Sequence, residues 1–226
     1  ETFVMTFSDR VMKYYGGLEI SGKLPSEVSV LNPYKNNAVI DICEKFYNKY
    51  YNDSNGRILI VGINPGRFGA GITGIPFTDP VVLENECNIK NDFDKRSEIS
   101  SEFIYKLITA TGSISSFYKR FYIGSVSPLG FMKNGKNFNY YDSKELMKSL
   151  KPFIVSNLIK QIGLGINSRK CFCLGQGKNF EYLKFLNIEL NLFDEIVPLP
   201  HPRWVMQYRR KKLDSIISEV VSKLIT

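Results

Sequence analysis

Four short apolar segments in the chain alternate with longer stretches in which apolar residues recur every three or four positions. The short segments are rich in β-branched and aromatic residues, are bounded by glycine or proline, and span residues 57–61, 121–126, 170–174 and 195–199. Their length and composition are typical of buried strands. Nearly continuous apolar strands that alternate with helices predict an α/β fold: a three-layer α/β/α sandwich around a central four-stranded, mainly parallel sheet.

The longer stretches predict helices before the first two strands and at the end of the chain. Residues 39–50 and 103–108 carry apolar side chains at helical spacing, and residues 213–224 carry one apolar stripe that predicts a docked final helix. Pro152 predicts a helix that has proline in its first turn and ends near Gly163.

Two polar stretches show neither pattern. We expect residues 84–100 to form a surface excursion and residues 132–142, which are rich in Asn, Gly and Lys, to form a long loop. The chain has no internal repeat, and 226 residues with 43% hydrophobic residues suit a single domain over residues 1–226. The longest apolar run, residues 58–63, is too short to span a membrane, so we expect no membrane partner.

Charge and cysteine content narrow the class further. With 30 Lys and Arg against 22 Asp and Glu, the net charge of +8 favours an anionic partner, of which nucleic acid is the commonest. The four cysteines form no C-x-x-C pair and the chain has a single histidine, so we expect no bound metal and a reducing, cytoplasmic location. We further expect the protein to be a monomer.

Parallel sheets of this kind bind ligands at the carboxyl ends of their strands. Residues 62–77, after the first strand, contain five glycines and two prolines, which is typical of a loop that packs closely on a ligand. Residues 69–74 satisfy G-x-G-x-x-G, but prolines follow where a dinucleotide fingerprint requires a helix. The sequence therefore disfavours a dinucleotide site, and we expect no cofactor.

The third and fourth strands are followed by further candidates. Residues 175–179 could offer backbone N–H groups and Lys178 to a phosphate, or could form an ordinary strand-to-helix turn; both interpretations stay open. The only histidine and the only tryptophan, His201 and Trp204, follow the fourth strand, and this position favours a functional histidine over a structural one. Five cations interleaved with aromatic residues favour phosphate contacts over a solvated helix start: Arg203, Arg209, Arg210, Lys211 and Lys212.

These loops limit the chemistry that the protein can perform. They contain no obvious carboxylate pair, Cys–His nucleophile or metal cluster, so phosphoryl transfer, glycoside hydrolysis by two carboxylates and metal-dependent hydrolysis are poorly supported. Cleavage of an N-glycosidic bond to a pyrimidine needs a donor for the negative charge on the leaving base and a positioned water for the sugar cation. An imidazole N–H and an asparagine carboxamide can supply these two functions.

Two motifs in these loops resemble those of the uracil-DNA glycosylase superfamily. Residues 62–66 read G-I-N-P-G and residues 73–77 read T-G-I-P-F, while residues 201–203 read H-P-R. The chain most resembles the single-strand-selective monofunctional branch, whose first motif reads G-M-N-P-G-x-F-G with a later T-G-V-P-F. The resemblance implies that superfamily's fold and a metal-independent, monofunctional DNA glycosylase. Such an enzyme flips uracil or a related deaminated base out of DNA and leaves an abasic site, as in base excision repair.

Carried across by position, the resemblance implies that Asn64 orients the attacking water and that His201 donates to the pyrimidine carbonyl. It implies that Phe77 stacks on the base and that Gly66, where stricter uracil enzymes carry tyrosine, leaves room for a substituent. The residues around the base would be Gly62, Ile63, Gly66, Phe77 and Ser125. The residues that contact DNA, some of them on a wedge that fills the vacated stack, would be Pro65, Lys178, Arg203, Trp204, Arg209 and Arg210.

The sequence departs from the family pattern twice. Ser125 stands where the family usually places an asparagine that reads the uracil edge, and a hydroxyl cannot make the amide's two-point contact. Specificity could therefore extend to xanthine, hypoxanthine or oxidised pyrimidines. The second motif is also shorter than the usual H-P-S-P-R. Two alternatives stay open: a catalytically inactive module of the same fold that binds damaged DNA, and a hydrolase of free nucleosides or nucleotides.

Overall fold

The computed structural model describes residues 4–226; residues 1–3, which the expected single domain includes, lie outside the described residues. Within residues 4–226 there are seven strands in two sheets. In chain order they are β1 (Val28–Leu31), β2 (Arg57–Gly62), β3 (Phe121–Ser125), β4 (Gly130–Lys133), β5 (Lys136–Phe138), β6 (Ile166–Leu174) and β7 (Glu195–Leu199).

Ten α-helices connect these strands in the described part of the chain. They are α1 (Phe7–Gly16), α2 (Asn37–Tyr50), α3 (Ala70–Thr73), α4 (Pro80–Asn85), α5 (Ile99–Ala110), α6 (Ile114–Arg120), α7 (Lys144–Ile162), α8 (Lys178–Leu190), α9 (Pro202–Tyr208) and α10 (Leu213–Ile225). Short 3-10 turns, Pro33–Lys35 and Arg210–Lys212, precede α2 and α10.

The central sheet has the strand order β3–β2–β6–β7, and all three strand pairings are parallel. The inner strand β2 is nearly all apolar because it has a strand on each side and helices flanking the sheet; Leu59, Ile60 and Val61 are at most 2% exposed. The predicted α/β fold is confirmed. The four predicted strands agree with those observed except at their ends, where β2 reaches Gly62 and β6 begins at Ile166.

A second sheet shows that the long loop predicted at residues 132–142 is wrong. Strands β1, β4 and β5 form an antiparallel sheet in the order β1–β4–β5, with Phe131 of β4 opposite Phe138 of β5. The turn between β4 and β5 is made by Asn134 and Gly135, whose φ values are 50° and 69°. Asn-Gly is a preferred dipeptide for a two-residue hairpin turn, so turn chemistry and pairing with β1 outweigh the polar composition.

Helix α7 begins earlier than the sequence predicted. The Ser143 side chain accepts a hydrogen bond from the N–H of Leu146 at 3.2 Å and so caps the helix well before Pro152. The proline therefore lies inside α7 and not in its first turn. The fully buried stripe of Leu146, Leu150 and Ile154 continues through this region, and its packing offsets the hydrogen bond that proline removes.

The docked final helix is confirmed, because α10 buries Ile217, Val220 and Leu224. Residues 4–226 include no helix that is both long enough and apolar enough to cross a membrane. Four cysteines of the described residues are buried and unpaired: Cys43, Cys87, Cys171 and Cys173.

Candidate active site

A cavity of about 570 Å³ opens at the carboxyl ends of the central strands. The end of β3, the loops after β2, β6 and β7, and the segment that follows β5 line it together, as expected for a parallel sheet. The lining includes ten of the residues predicted from the sequence: Ile63, Asn64, Pro65, Gly66, Phe77, Ser125, Lys178, His201, Arg203 and Trp204. Five predicted residues are not part of it: Gly62, Arg209, Arg210, Lys211 and Lys212.

The carboxamide of Asn64 has a fixed orientation. Its Oδ1 accepts a hydrogen bond from the N–H of Tyr140 at 3.0 Å, and its Nδ2 donates to the carbonyl of Phe138 at 3.4 Å. The hydroxyl of Tyr140 donates to Oδ1 of Asn179 at 2.7 Å, and Nδ2 of Asn179 donates to the carbonyl of Gly62 at 3.3 Å. The segment that leaves the hairpin therefore holds Asn64 and is itself tied to the end of β2.

His201 stands at the N-terminal cap of α9, between two prolines. Its Nδ1 accepts a hydrogen bond from the N–H of Arg203 at 3.2 Å, so in the neutral ring the proton lies on Nε2. Burial, and secondarily the charge of Arg203, lower the pKa of His201 to about 4. At neutral pH the cavity thus contains an uncharged imidazole whose Nε2 is a donor.

Phe77 is held in an uncommon backbone conformation, with φ of 52°. The turn before it is held by the Thr73 hydroxyl, which accepts from the N–H of Ile75 at 3.1 Å and donates to the carbonyl of Thr78 at 2.6 Å. The Phe77 ring lies against Gly62, where a Cβ would be only 2.8 Å from ring carbons. Gly62 therefore supports the ring without lining the cavity.

Ser125 ends β3 and lines the cavity while being 7% exposed. Its backbone carbonyl accepts a hydrogen bond from Nε2 of Gln161 at 3.0 Å, and Gln161 belongs to α7. The buried amide of Gln161 thus fixes the end of β3. The Ser125 side chain contributes one hydroxyl to the cavity wall.

The space beside Gly66 is already occupied. From the position that a Cβ at Gly66 would take, Nδ2 of Asn137 is 3.3 Å away and Oε1 of Glu98 is 3.7 Å away. The Asn137 side chain is itself fixed, since its Oδ1 accepts from the N–H of Arg67 at 2.9 Å. The room expected at Gly66 is therefore bounded by a carboxamide from β5 and a carboxylate that precedes α5.

Arg203 forms an ion pair at the edge of the cavity. Its Nη2 donates to Oε1 of Glu98 at 3.1 Å, and the side chains are 44% and 15% exposed, respectively. Burial raises the pKa of Glu98, although the charge of Arg203 acts in the opposite direction. Glu98 belongs to the stretch 84–100 that the sequence predicted as a surface excursion, and its inward side chain corrects that prediction at this residue.

Other predicted cations contact neighbouring side chains. The Arg209 guanidinium lies 4.8 Å from the centre of the Trp204 ring, and the Lys178 ammonium lies 5.8 Å from that of Tyr141. Arg210 lies outside the cavity and pairs with Glu102 at 3.1 Å. In residues 4–226, no three histidine, cysteine or acidic side chains cluster in a way that could hold a metal ion.

Comparison with known proteins agrees with the geometry. A model of the Uracil DNA glycosylase superfamily matches residues 48–225. Among solved structures, the crystal structure of wild-type Pedobacter heparinus SMUG2 is similar, with a TM-score of 0.95 and 47% sequence identity over 98% of this chain and 97% of that chain. No curated protein matches the chain. The chain therefore belongs to the uracil-DNA glycosylase superfamily and is a DNA glycosylase-type hydrolase.

Proposed function

We propose that the protein is a monofunctional, metal-independent glycosylase that flips uracil or a related deaminated base out of DNA and hydrolyses its N-glycosidic bond. The observation that carries this proposal is the placement of Asn64 and His201. They come from different strand ends, line one cavity, and are each fixed by a hydrogen bond to a backbone N–H. The product would be an abasic site, as base excision repair requires.

His201 would act on the leaving base. As the bond between C1′ and the base nitrogen breaks, its electron pair moves onto the base, and negative charge grows on a carbonyl oxygen. The Nε2–H of His201 would donate to that oxygen. Because the pKa of His201 is about 4, the imidazole is neutral at pH 7. It would stabilise the growing charge as a hydrogen-bond donor and not as a cation.

Asn64 would act on the attacking water. Its Oδ1 uses one lone pair for the N–H of Tyr140 and keeps a second that can accept from a water molecule. A water held in this way would present its oxygen to C1′ as the sugar becomes cationic. The water adds its oxygen to C1′ and loses a proton to solvent, and the base departs as an anion that takes up a proton later.

The remaining lining residues would select the base. The Phe77 ring would stack on it, and Ile63 and Gly66 would shape the pocket around it. Ser125 offers one hydroxyl instead of an amide's donor and acceptor, so we infer that deaminated bases other than uracil are also excised. Gly62 would contribute indirectly, because its lack of a side chain leaves space for the Phe77 ring.

DNA would lie across the rim of the cavity. Trp204 is 43% exposed beside Arg203, and these two residues would form the wedge that replaces the flipped base in the stack. Phosphates would be contacted by the basic residues of the rim, and Pro65 would lie under the bound strand. The assigned residues are Pro65, Lys178, Arg209 and Arg210. A monomer presents this whole surface, so we propose that the protein acts as one.

The test is excision from oligonucleotides that carry one uracil, xanthine or hypoxanthine, followed by alkali to break abasic sites. Asn64→Ala and His201→Ala should each slow single-turnover excision by roughly 10²–10³-fold. Asn139→Ala is the matched control, because Asn139 lines the same cavity without an assigned role. Addition of EDTA should leave the rate unchanged, and borohydride should trap no protein–DNA adduct, since Asn64 cannot form a Schiff base.

Each contrary result points to a definite alternative. Wild-type rates in both the Asn64 and the His201 variants would disprove the catalytic assignment. Tight binding to a uracil duplex without product would instead favour the inactive DNA-binding module. Turnover of free deoxyuridine at a rate similar to that of DNA would favour a nucleoside hydrolase.

A further inference from the structure

The carboxylate of Glu98 lies between the two motif loops. Its Oε1 accepts from Nη2 of Arg203, which follows His201 by two positions and lies in the first turn of α9. On the other side, a Cβ at Gly69 would overlap Oε2 of Glu98, and a Cβ at Gly66 would be 3.7 Å from Oε1. The carboxylate therefore fits a space that the glycines of the first motif loop leave open, and contacts the second motif helix from there.

The backbone of Glu98 is fixed as firmly as its side chain. The N–H of Glu98 donates to Oδ2 of Asp79 at 2.8 Å, while Oδ1 of Asp79 caps α4 through the N–H groups of Val81 and Val82 at 2.9 Å. Glu98 is also the residue directly before α5. One carboxylate thus connects α5, the first motif loop and the start of α9.

An acidic side chain at this place needs a reason. A negative charge on the wall of the cavity opposes both the approach of DNA phosphates and the growth of negative charge on a leaving base. Arg203 offsets that charge, but the pairing also withdraws an arginine from the surface that DNA would occupy. An arrangement that weakens DNA attraction in this way is expected only if the pair does something else for the site.

We propose that Glu98 is a positioning residue for base excision, which holds Arg203 and with it the first turn of α9 so that His201 faces the base. This inference rests on the proposed glycosylase function. The link is short: the N–H of Arg203 donates to Nδ1 of His201 at 3.2 Å, so the residue that Glu98 anchors is also the one that fixes the imidazole ring.

A second ion pair, which involves a residue within α5, gives a matched control. Glu102 pairs with Arg210 at the same distance, 3.1 Å, but does not line the cavity. Glu98→Gln and Glu102→Gln each remove one negative charge next to one arginine. If charge alone matters, the two variants should behave alike, and if position matters, only Glu98→Gln should affect excision.

The experiment measures two quantities in each variant. The first is the affinity for a duplex that carries thymine in place of uracil, followed by fluorescence anisotropy over a salt series. The second is the single-turnover rate of uracil excision with the protein in saturating excess. Both variants should bind DNA several-fold more tightly, with a salt slope steeper by about 0.9, because one arginine becomes available to a phosphate.

Excision should separate the two variants. Glu98→Gln should excise uracil about tenfold more slowly than wild type despite tighter binding, because a displacement of well under 1 Å at the imidazole already costs rate. Glu102→Gln should stay within about twofold of wild type. A residue with a merely structural role would lower binding and excision together, so the opposite changes are the signature of positioning.

Glu98→Asp covers the case in which Glu98→Gln does not fold. It keeps the negative charge but withdraws the carboxylate from Arg203 by one methylene, so it should slow excision while leaving the salt slope near the wild-type value. Wild-type excision in Glu98→Gln, or a parallel loss of binding and rate, would overturn the positioning role alone. Absence of excision by the wild-type protein would overturn the proposed function, and this inference with it.

Discussion

The two ends of the central sheet carry the same kind of ion pair in opposite surroundings. At the amino end of β2, Arg57 is fully buried and makes two hydrogen bonds to Asp53, at 2.5 and 2.8 Å, with its guanidinium 4.8 Å from the centre of the Phe7 ring. At the carboxyl end, Arg203 is half-exposed and makes one such bond, to Glu98. Identical chemistry thus serves a closed core at one end and an open cavity at the other.

The neighbours of each pair explain the difference. Around Arg57, aromatic rings fill the space, and its Nε donates to the carbonyl of Tyr118 at 3.1 Å, so the group is satisfied by the fold itself. The cavity that Arg203 lines is bounded instead by glycines, by Phe77 with its positive φ, and by polar side chains. The surroundings of Arg57 stabilise the fold, whereas those of Arg203 leave hydrogen-bonding groups free for a ligand.

Removal of the carboxylate that pairs with the buried Arg57 should give the largest effect on stability. Asp53→Ala leaves the Arg57 charge without its acidic partner, so we expect the free energy of unfolding to fall by about 3–5 kcal/mol. Urea denaturation followed by circular dichroism measures this, with Glu102→Ala as an exposed control that should change stability by less than about 1 kcal/mol. The excision rate per folded molecule should be unchanged. A loss as small as that of the control would mean that the two ends of the sheet do not differ as described.

The next largest effect concerns the carboxyl end of the sheet, where His201 should make the free energy of unfolding depend on pH. The pKa of His201 is about 6.5 in the unfolded chain and about 4 in the folded protein, so between these values the unfolded state binds more protons. Stability contributed by His201 is therefore complete above about pH 6.5 and is lost as pH falls toward 4, by at most about 3 kcal/mol. The difference in unfolding free energy between wild type and His201→Ala, measured from pH 7 to 4, isolates this contribution. A difference that does not vary with pH would contradict the lowered pKa.

The sequence predicted the central strands and the motif residues that follow them. The central strands were found because a continuous apolar pattern directly reflects burial on both faces of a parallel sheet. Asn64 and His201 were found because their motifs are read at fixed spacing after those strands. Their roles remain proposals.

The missed features depend on contacts that no local pattern encodes. Asn137 could have been placed by the turn signal at Asn134 and Gly135, but β1, with which its hairpin pairs, lies about a hundred residues away in sequence. Glu98 gave no signal, because its polar neighbours resemble solvated chain and only the tertiary contact with Arg203 turns it inward. Pro152 misled because a proline at a helix start and one inside a well-packed helix look alike in sequence.

Selectivity at the cavity wall should respond to a smaller change. Asn137→Ala removes the carboxamide beside Gly66, so bases with a larger group on that side should fit better. We expect the ratio of excision efficiencies, 5-hydroxymethyluracil against uracil, to rise by about tenfold, which is the scale of one small group in a fitted pocket. Competition between the two duplexes measures the ratio directly. Asn139→Ala should leave it unchanged, and an equal rise in both variants would show that the effect is general loosening of the hairpin.

The smallest expected effect concerns the rim, where pairing distinguishes two adjacent arginines. Arg210 is neutralised by Glu102, whereas Arg209 lies over the Trp204 ring with its charge less compensated. Arg209→Ala should therefore lower the salt slope of DNA binding by about 0.9, and Arg210→Ala should lower it by clearly less. Anisotropy titrations over a salt series measure both slopes. Equal slopes would mean that phosphates displace Glu102 from Arg210, and the ion pairs along α5 would then be exchange partners for DNA instead of fixed supports.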